Sequence, residues 1–202
     1  MVVLDATMLM LLFRSDVPAR TTDSKGRTID HVKDRVNYLV KTLEAAKSQI
    51  LIPTPVLSEL FVRATAEETQ SILEEINRLA VFRVESFDTR AAIEVAVMTR
   101  SALAGGDKKG GSKAPWAKVK FDRQIVAIAR LAQASAIYSD DDDIATIAKL
   151  VNIPVFGLAD LSLPPETAQG VLPLEPKTHD DIDEIASQNK EPEIPDEPPA
   201  AQ

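Results

Sequence analysis

The stretch from Lys118 to Ile144, KVKFDRQIVAIARLAQASAIYSDDDDI, limits what this chain can fold into more than any other. Phe121, Ile125, Ile128 and Ala132 recur at helical spacing and predict an amphipathic helix opened by the acid Asp122. Ala136, Ile137 and Tyr138 then form a short apolar strand, which ends in Ser139 and four consecutive acids, Asp140 to Asp143. In open α/β sheets, ligands bind at the carboxyl ends of the strands. Carboxylates clustered there suit hard cations such as Mg²⁺ or Mn²⁺. The same acids also suit a plainer role, capping a helix from Ile144 to Val151, because Asp is favoured at helix N-termini. Acids at matching strand ends elsewhere decide between the two.

Val2 to Leu4 predict a buried strand ending at Asp5, followed by Ala6, Thr7 and an apolar run from Met8 to Phe13 that starts a helix. The plain role for Asp5 is again a helix N-cap. Residues 14 to 29 are polar, contain Pro18 and Gly26, and read as a loop or insertion. From Asp30 to about Lys47, Val32, Val36, Leu39, Val40 and Leu43 supply the stripe of a long helix. Ile50 to Ile52 form a second strand, closed by Pro53, Thr54 and Pro55. The helix after it carries Val56, Leu57, Leu60 and Phe61 on one stripe, with Glu59 beside it. A single helical Glu is usually just solvated; its position just past a strand end makes Glu59 a candidate. A polar-patterned helix at Glu67 to Leu79, a strand at Val81 to Val84, and an Asp88-capped helix from Thr89 to about Leu103 follow. Ile153 to Phe156 make a fifth strand.

Residues 104 to 120, AGGDKKGGSKAPWAKVK, hold four glycines, five lysines and one tryptophan and read as a flexible loop. The phosphate-cradling pattern G-x-x-x-x-G-K-[ST] is absent, which excludes nucleotide binding of that type. Lys108, Lys109, Lys113, Lys118 and Lys120 fit contact with a phosphate backbone, and Trp116 fits stacking on a base. A solubilising surface loop fits equally well.

With 202 residues and no cysteine, the chain is long enough for one ordinary domain without disulfides or thiolate metal sites, and an intracellular location follows as the expectation. His31 and His179 are too far apart in sequence to suggest a metal site, and no run is apolar for long enough to span a bilayer. The opening MVVLDATMLMLLF lacks a basic leader and makes a poor signal peptide. Residues 175 to 202 hold nine acids and two lysines, whereas the 174 residues before them hold 22 acids and 21 bases. The net charge of −8 is therefore concentrated in a Pro-rich acidic tail that reads as disordered. The near-neutral body leaves an anionic substrate open.

Strand–helix alternation with short buried strands predicts a three-layer α/β/α fold with a central parallel sheet of about five strands. Right-handed crossovers carry every strand's carboxyl end to one edge. Asp5, Glu59 and the acids after Tyr138 would converge there, and Asp122 would join them if the loop before it allows. At this point VVLDATMLMLLF, IPTPVLSELF, FDRQIVAIA and IYSDDDDI, taken in order, resemble the PIN-domain ribonucleases, most of all the VapC-type toxins of bacterial toxin–antitoxin pairs. The resemblance covers residues 1 to about 158, leaving residues 159 to 174 as an exit segment and 175 to 202 as the tail. It implies Asp5, Glu59, Asp122 and Asp141 as catalytic, metal-binding acids, Asp143 as a fifth ligand, and Thr7 and Ser139 as small polar supports. It also implies Mg²⁺ or Mn²⁺, an RNA substrate, a cognate antitoxin, a homodimer and a cytoplasmic home. Within the Asp run, the register of the fourth acid stays open among Asp140, Asp141 and Asp142.

Divalent cations held by such acids can activate water and neutralise charge on a phosphoryl group, which is what phosphodiester hydrolysis needs. An aspartyl-phosphate phosphohydrolase would want a second Asp two residues after Asp5, where Thr7 stands. A receiver-like module would want its Asp on a middle strand, where Ile52 and Pro53 stand. A PIN-like module that binds RNA or protein without cutting is the alternative, and the intact set of acids argues against it.

Overall fold

A computed structural model describes residues 1–165, apart from 15, 17–21, 23–25 and 27. Most of the insertion read at 14–29, the end of the exit segment and the whole acidic tail lie outside the described residues. Five short strands form the sheet: β1 (Val2–Leu4), β2 (Ile50–Pro53), β3 (Phe82–Glu85), β4 (Ile137–Tyr138) and β5 (Val155–Phe156). All pairings are parallel, in the order β3-β2-β1-β4-β5. Val3 sits opposite Leu51 on one side and Ile137 on the other, so β1 is central. Every residue of β1 and β2 is buried, as expected of strands covered on both faces.

Among the described residues, seven α-helices accompany the sheet: α1 (Ala6–Phe13), α2 (Val32–Ala45), α3 (Thr54–Val62), α4 (Ala66–Arg78), α5 (Thr89–Ala104), α6 (Trp116–Leu131) and α7 (Asp142–Lys149). Local chemistry starts several of them. Asp5 and Asp88 each accept a backbone N–H three residues on, and Thr65 with Glu68 forms a reciprocal capping box. The chain steps outward from β1 to β2 to β3, then returns to lay β4 on the other side of β1. That reversal opens a crevice between the carboxyl ends of β1 and β4, the place where such sheets bind ligands.

One element departs from the sequence reading. Helix α6 begins at Trp116, just after Pro115, and not at Asp122. Residues 116–120 are therefore helical, and the connection from α5 shrinks to 105–115. The reason lies in the stripe. Val119, Asp122, Arg123, Val126 and Ala127 are all buried at helical spacing, so the inward face passes through two charged residues that broke the apolar pattern. Asp122 thus occupies the second turn, and a capping role for it is excluded.

Candidate metal centre

Asp5 is the first residue past β1, and its backbone N–H donates to the Tyr138 carbonyl at 3.1 Å. The residue is only 5% exposed. Its Oδ1 accepts the Met8 N–H at 2.9 Å, and its Oδ2 accepts the Ser139 hydroxyl at 2.5 Å. The Ser139 Oγ in turn accepts the Asp141 N–H at 3.0 Å, tying the ends of β1 and β4 together across the crevice. Asp141 caps α7 through Oδ1, which accepts the Asp143 N–H at 2.8 Å.

The other oxygen of Asp141 faces Asp122 and Asp143. Ligand oxygens from these three acids all lie within 4.8 Å of one another. Between them stands the ammonium of Lys118, with Nζ 2.9 Å from Asp122, 2.8 Å from Asp141 and 3.0 Å from Asp143. Asp143 is held from the other side by Ser112, a buried residue of the 105–115 connection, whose hydroxyl donates to Oδ1 at 2.6 Å. Glu59 stands exposed on α3, close enough for its carboxyl to feel both Lys118 and Asp141. Thr7 is half-buried in the first turn of α1.

The run of four Asp residues is resolved by direction. Asp140 turns away: its Oδ1 accepts the Leu158 N–H at 2.8 Å, and its Oδ2 is buried without a hydrogen bond. A Cβ on Gly157 would lie 2.6 Å from Asp140 Oδ1, so that approach requires glycine. Asp141 and Asp143 are the acids of the run that join Asp122.

The carboxyl groups strain against their surroundings. Burial pushes Asp5 up to about 6, against hydrogen bonds from Ser139 and Met8 that lower it, and nearby Asp140 and Asp141 add to the rise. Burial likewise pushes Asp122 up to about 6; Lys118 works against it, and Asp141 and Asp143 reinforce it. Glu59 is raised by partial desolvation first. Burial alone would lower the Lys118 ammonium, but the hydrogen bonds it donates to Asp141, Asp122 and Asp143 outweigh it and hold the proton firmly. Lys118 and Asp122 shift in directions that look contradictory for an ion pair. They agree once one ammonium is seen to serve three carboxylates, leaving the set short of positive charge. Asp143 is lowered, chiefly by the Ser112 hydroxyl.

The residues read as nucleic-acid contacts divide into two groups. Lys108, Lys109 and Lys113 lie on the connection, whereas Trp116, Lys118 and Lys120 lie on α6. Lys118 is turned onto the acids. Trp116 is half-buried, with the Lys108 Nζ 5.3 Å and the Arg123 guanidinium 5.4 Å from its ring. Arg123, 1% exposed, donates to Thr99 Oγ1 and to the Lys108 carbonyl and so pins the connection to α6. The sequence reading missed Ser112 and Arg123 and assigned Lys118 to phosphate. The Lys118–Asp122 spacing of four on a helix was the available signal.

As donors, Asp122, Asp141 and Asp143 offer only hard carboxylate oxygens, and oxygens this close could hold a divalent cation of the Mg²⁺ or Mn²⁺ kind. No family model matches the chain, and no curated protein does. Among solved structures the chain is similar to one in "Structure of FitAB bound to IR36 DNA fragment", at 16% identity and a TM-score of 0.52, covering 80% of this chain and 98% of that one. It is also similar to a chain of VapBC2 from Rickettsia felis bound to a DNA fragment from its promoter, at 14% identity and a TM-score of 0.50, covering 77% and 97%. The likeness is one of fold, and the fold is PIN-like.

Proposed function

We propose that this PIN-like chain is a divalent-metal-dependent endoribonuclease and the toxin of a toxin–antitoxin pair. One observation supports the reading above the others. Acids distant in sequence, Asp122 on α6 and Asp141 and Asp143 after β4, present oxygens within 4.8 Å of one another. They do so beside Asp5, at the reversal point of a parallel sheet. Asp122, Asp141 and Asp143 would hold Mg²⁺ or Mn²⁺, with Asp5 and Glu59 completing the catalytic set around it. A bound cation would activate water and neutralise charge on the phosphoryl group. Ser139 would orient Asp5 and Asp141 through its two hydrogen bonds, and Thr7 would lie alongside. Lys108, Lys109, Lys113 and Lys120, with the edge of Trp116, would contact RNA.

The nuclease domain would span residues 1–158, with the exit segment and acidic tail appended. The VapC-type motifs, together with the fold shared with the VapBC2 and FitAB chains, favour a cognate antitoxin and a homodimer. The absence of cysteine favours the cytoplasm; among the described residues, no helix is long and apolar enough to cross a membrane. A second reading, an inactive RNA- or protein-binding module, draws on Lys118, which already neutralises part of the acid cluster.

Cleavage of a structured RNA pool in Mn²⁺, in EDTA, and by Asp122→Asn separates the two. The nuclease reading expects cleavage in Mn²⁺ that EDTA and the substitution both reduce to background. Asp122→Asn keeps the shape of the side chain and is not a helix cap, so a folded variant is expected. Cleavage by the variant at the parent rate would overturn the site; RNA bound but uncut by the parent would establish the module.

A further inference from the structure

We propose that Lys118 is a built-in counter-ion that a divalent cation must expel to occupy the acid cluster. The inference rests on the metal-site reading above. The Lys118 Nζ lies 2.8 to 3.0 Å from oxygens of Asp122, Asp141 and Asp143, the same three acids that form the candidate metal site. An ammonium has three protons to donate, and here each carboxylate takes one. Mg²⁺ would sit at roughly 2.0 to 2.1 Å from such oxygens. It would claim the same small volume, with the oxygens drawn in by a little under an ångström. Two cations cannot share that volume, so binding is an exchange of +1 for +2.

The cluster is built so that the lysine is the part that moves. Asp122 is almost sealed, its side chain 6% exposed, while that of Lys118 is 40% exposed one turn earlier on α6. Asp141 is fixed through its cap on Asp143 N–H, and Asp143 through the Ser112 hydroxyl. The four-carbon stem of Lys118 can swing its ammonium into solvent without any backbone movement. Clustered carboxylates with no cation among them would weaken the fold, and Lys118 meets that need when no metal is bound. After exchange, the freed ammonium remains one turn from the cation, within reach of an anion held there.

The test is a calorimetric titration of Mn²⁺ into the full chain and into Lys118→Met, joined to acylation of the parent by an amine-reactive reagent with mass-spectrometric readout. Three ion pairs at this exposure predict that the Met variant binds Mn²⁺ about tenfold more tightly. In the parent, Mn²⁺ should speed acylation of Lys118 and leave that of exposed Lys120 unchanged. Mn²⁺ bound equally or more weakly by the variant, with Lys118 acylation insensitive to the metal, would overturn the exchange and leave the metal site standing. Mn²⁺ bound by neither folded protein would overturn the metal site itself, and the exchange with it.

Discussion

Asp5 and Asp141 each perform two tasks with one carboxyl group. Through Oδ1 they cap α1 and α7; through Oδ2 they meet Ser139 and Lys118. The plain and functional readings of these acids are therefore not alternatives, because the cap is what aims the second oxygen. This placement works against the metal-free fold. Asp5 and Asp122 both titrate near 6 rather than at their ordinary 3.8, so ionisation is less favourable in the folded than in the unfolded chain. The stability they confer is fully present below about pH 4 and is lost as pH rises through about 6. For buried Asp5 the loss is on the order of 3 kcal/mol. In EDTA, the melting temperature should fall between about pH 4 and 7, most steeply below 6, and Asp5→Asn should flatten that fall. Bound Mn²⁺ needs the acids deprotonated, so the rise it causes in melting temperature should be small at the acidic end and full at the neutral end. An Mn²⁺-induced rise of the same size across that range would show that neither acid takes part. At this scale the sequence was partly legible. Acids at strand ends announced themselves, but a run of identical residues conceals which of them points inward. Only the backbone, with Asp140 turned to Leu158, resolves it.

Helix α6 and the connection before it show where element-level reading fails. An apolar stripe marks a helix only while its inward face is apolar, and here Asp122 and Arg123 occupy that face. Where a cap carried the signal, at Asp88, the helix start was legible; the capping box of Thr65 with Glu68 was not read, and that helix starts one residue earlier than expected, at Ala66. The connection itself does more than cover the surface. Ser112 reaches Asp143, and the Lys108 carbonyl receives Arg123. With Lys118 of α6 engaged by the acids, the lysines that would meet RNA are Lys108, Lys109 and Lys113 on the connection and the exposed Lys120 on α6. Each neutralised phosphate of a single strand contributes about −0.7 to the slope of log affinity against log salt. Replacing the three on the connection by Ala should therefore flatten the slope by up to roughly 2, as measured by filter binding across a salt series. An unaltered slope would return the connection to a structural role, anchoring Asp143 and nothing more.

For the molecule as a whole, the sheet order and the placement of charge decide what can approach the crevice. Parallel pairing was legible because the strands are short, apolar and separated by helices; the order that puts β1 at the centre was not read from the sequence. Their two-residue lengths at β4 and β5 were not, because pairing ends where the neighbouring strand ends. Charge separates along the chain. Residues 175–202 carry nine acids against two lysines, and the 174 residues before them are nearly balanced, with 22 acids and 21 bases. The tail lies outside the described residues. A segment so acidic and so poor in large apolar side chains adds little to a core. Its charge, however, acts over about 10 Å at 0.1 M salt. In the nuclease reading, that charge would repel RNA and compete with it for the same lysines. Truncation after Leu174 should thus leave the melting temperature nearly unchanged and tighten RNA binding at low salt. The gain should disappear as salt is raised, since screening removes what the tail contributes. Unchanged RNA affinity at low salt would refute the competition, and a large drop in melting temperature would show that the tail is part of the folded unit.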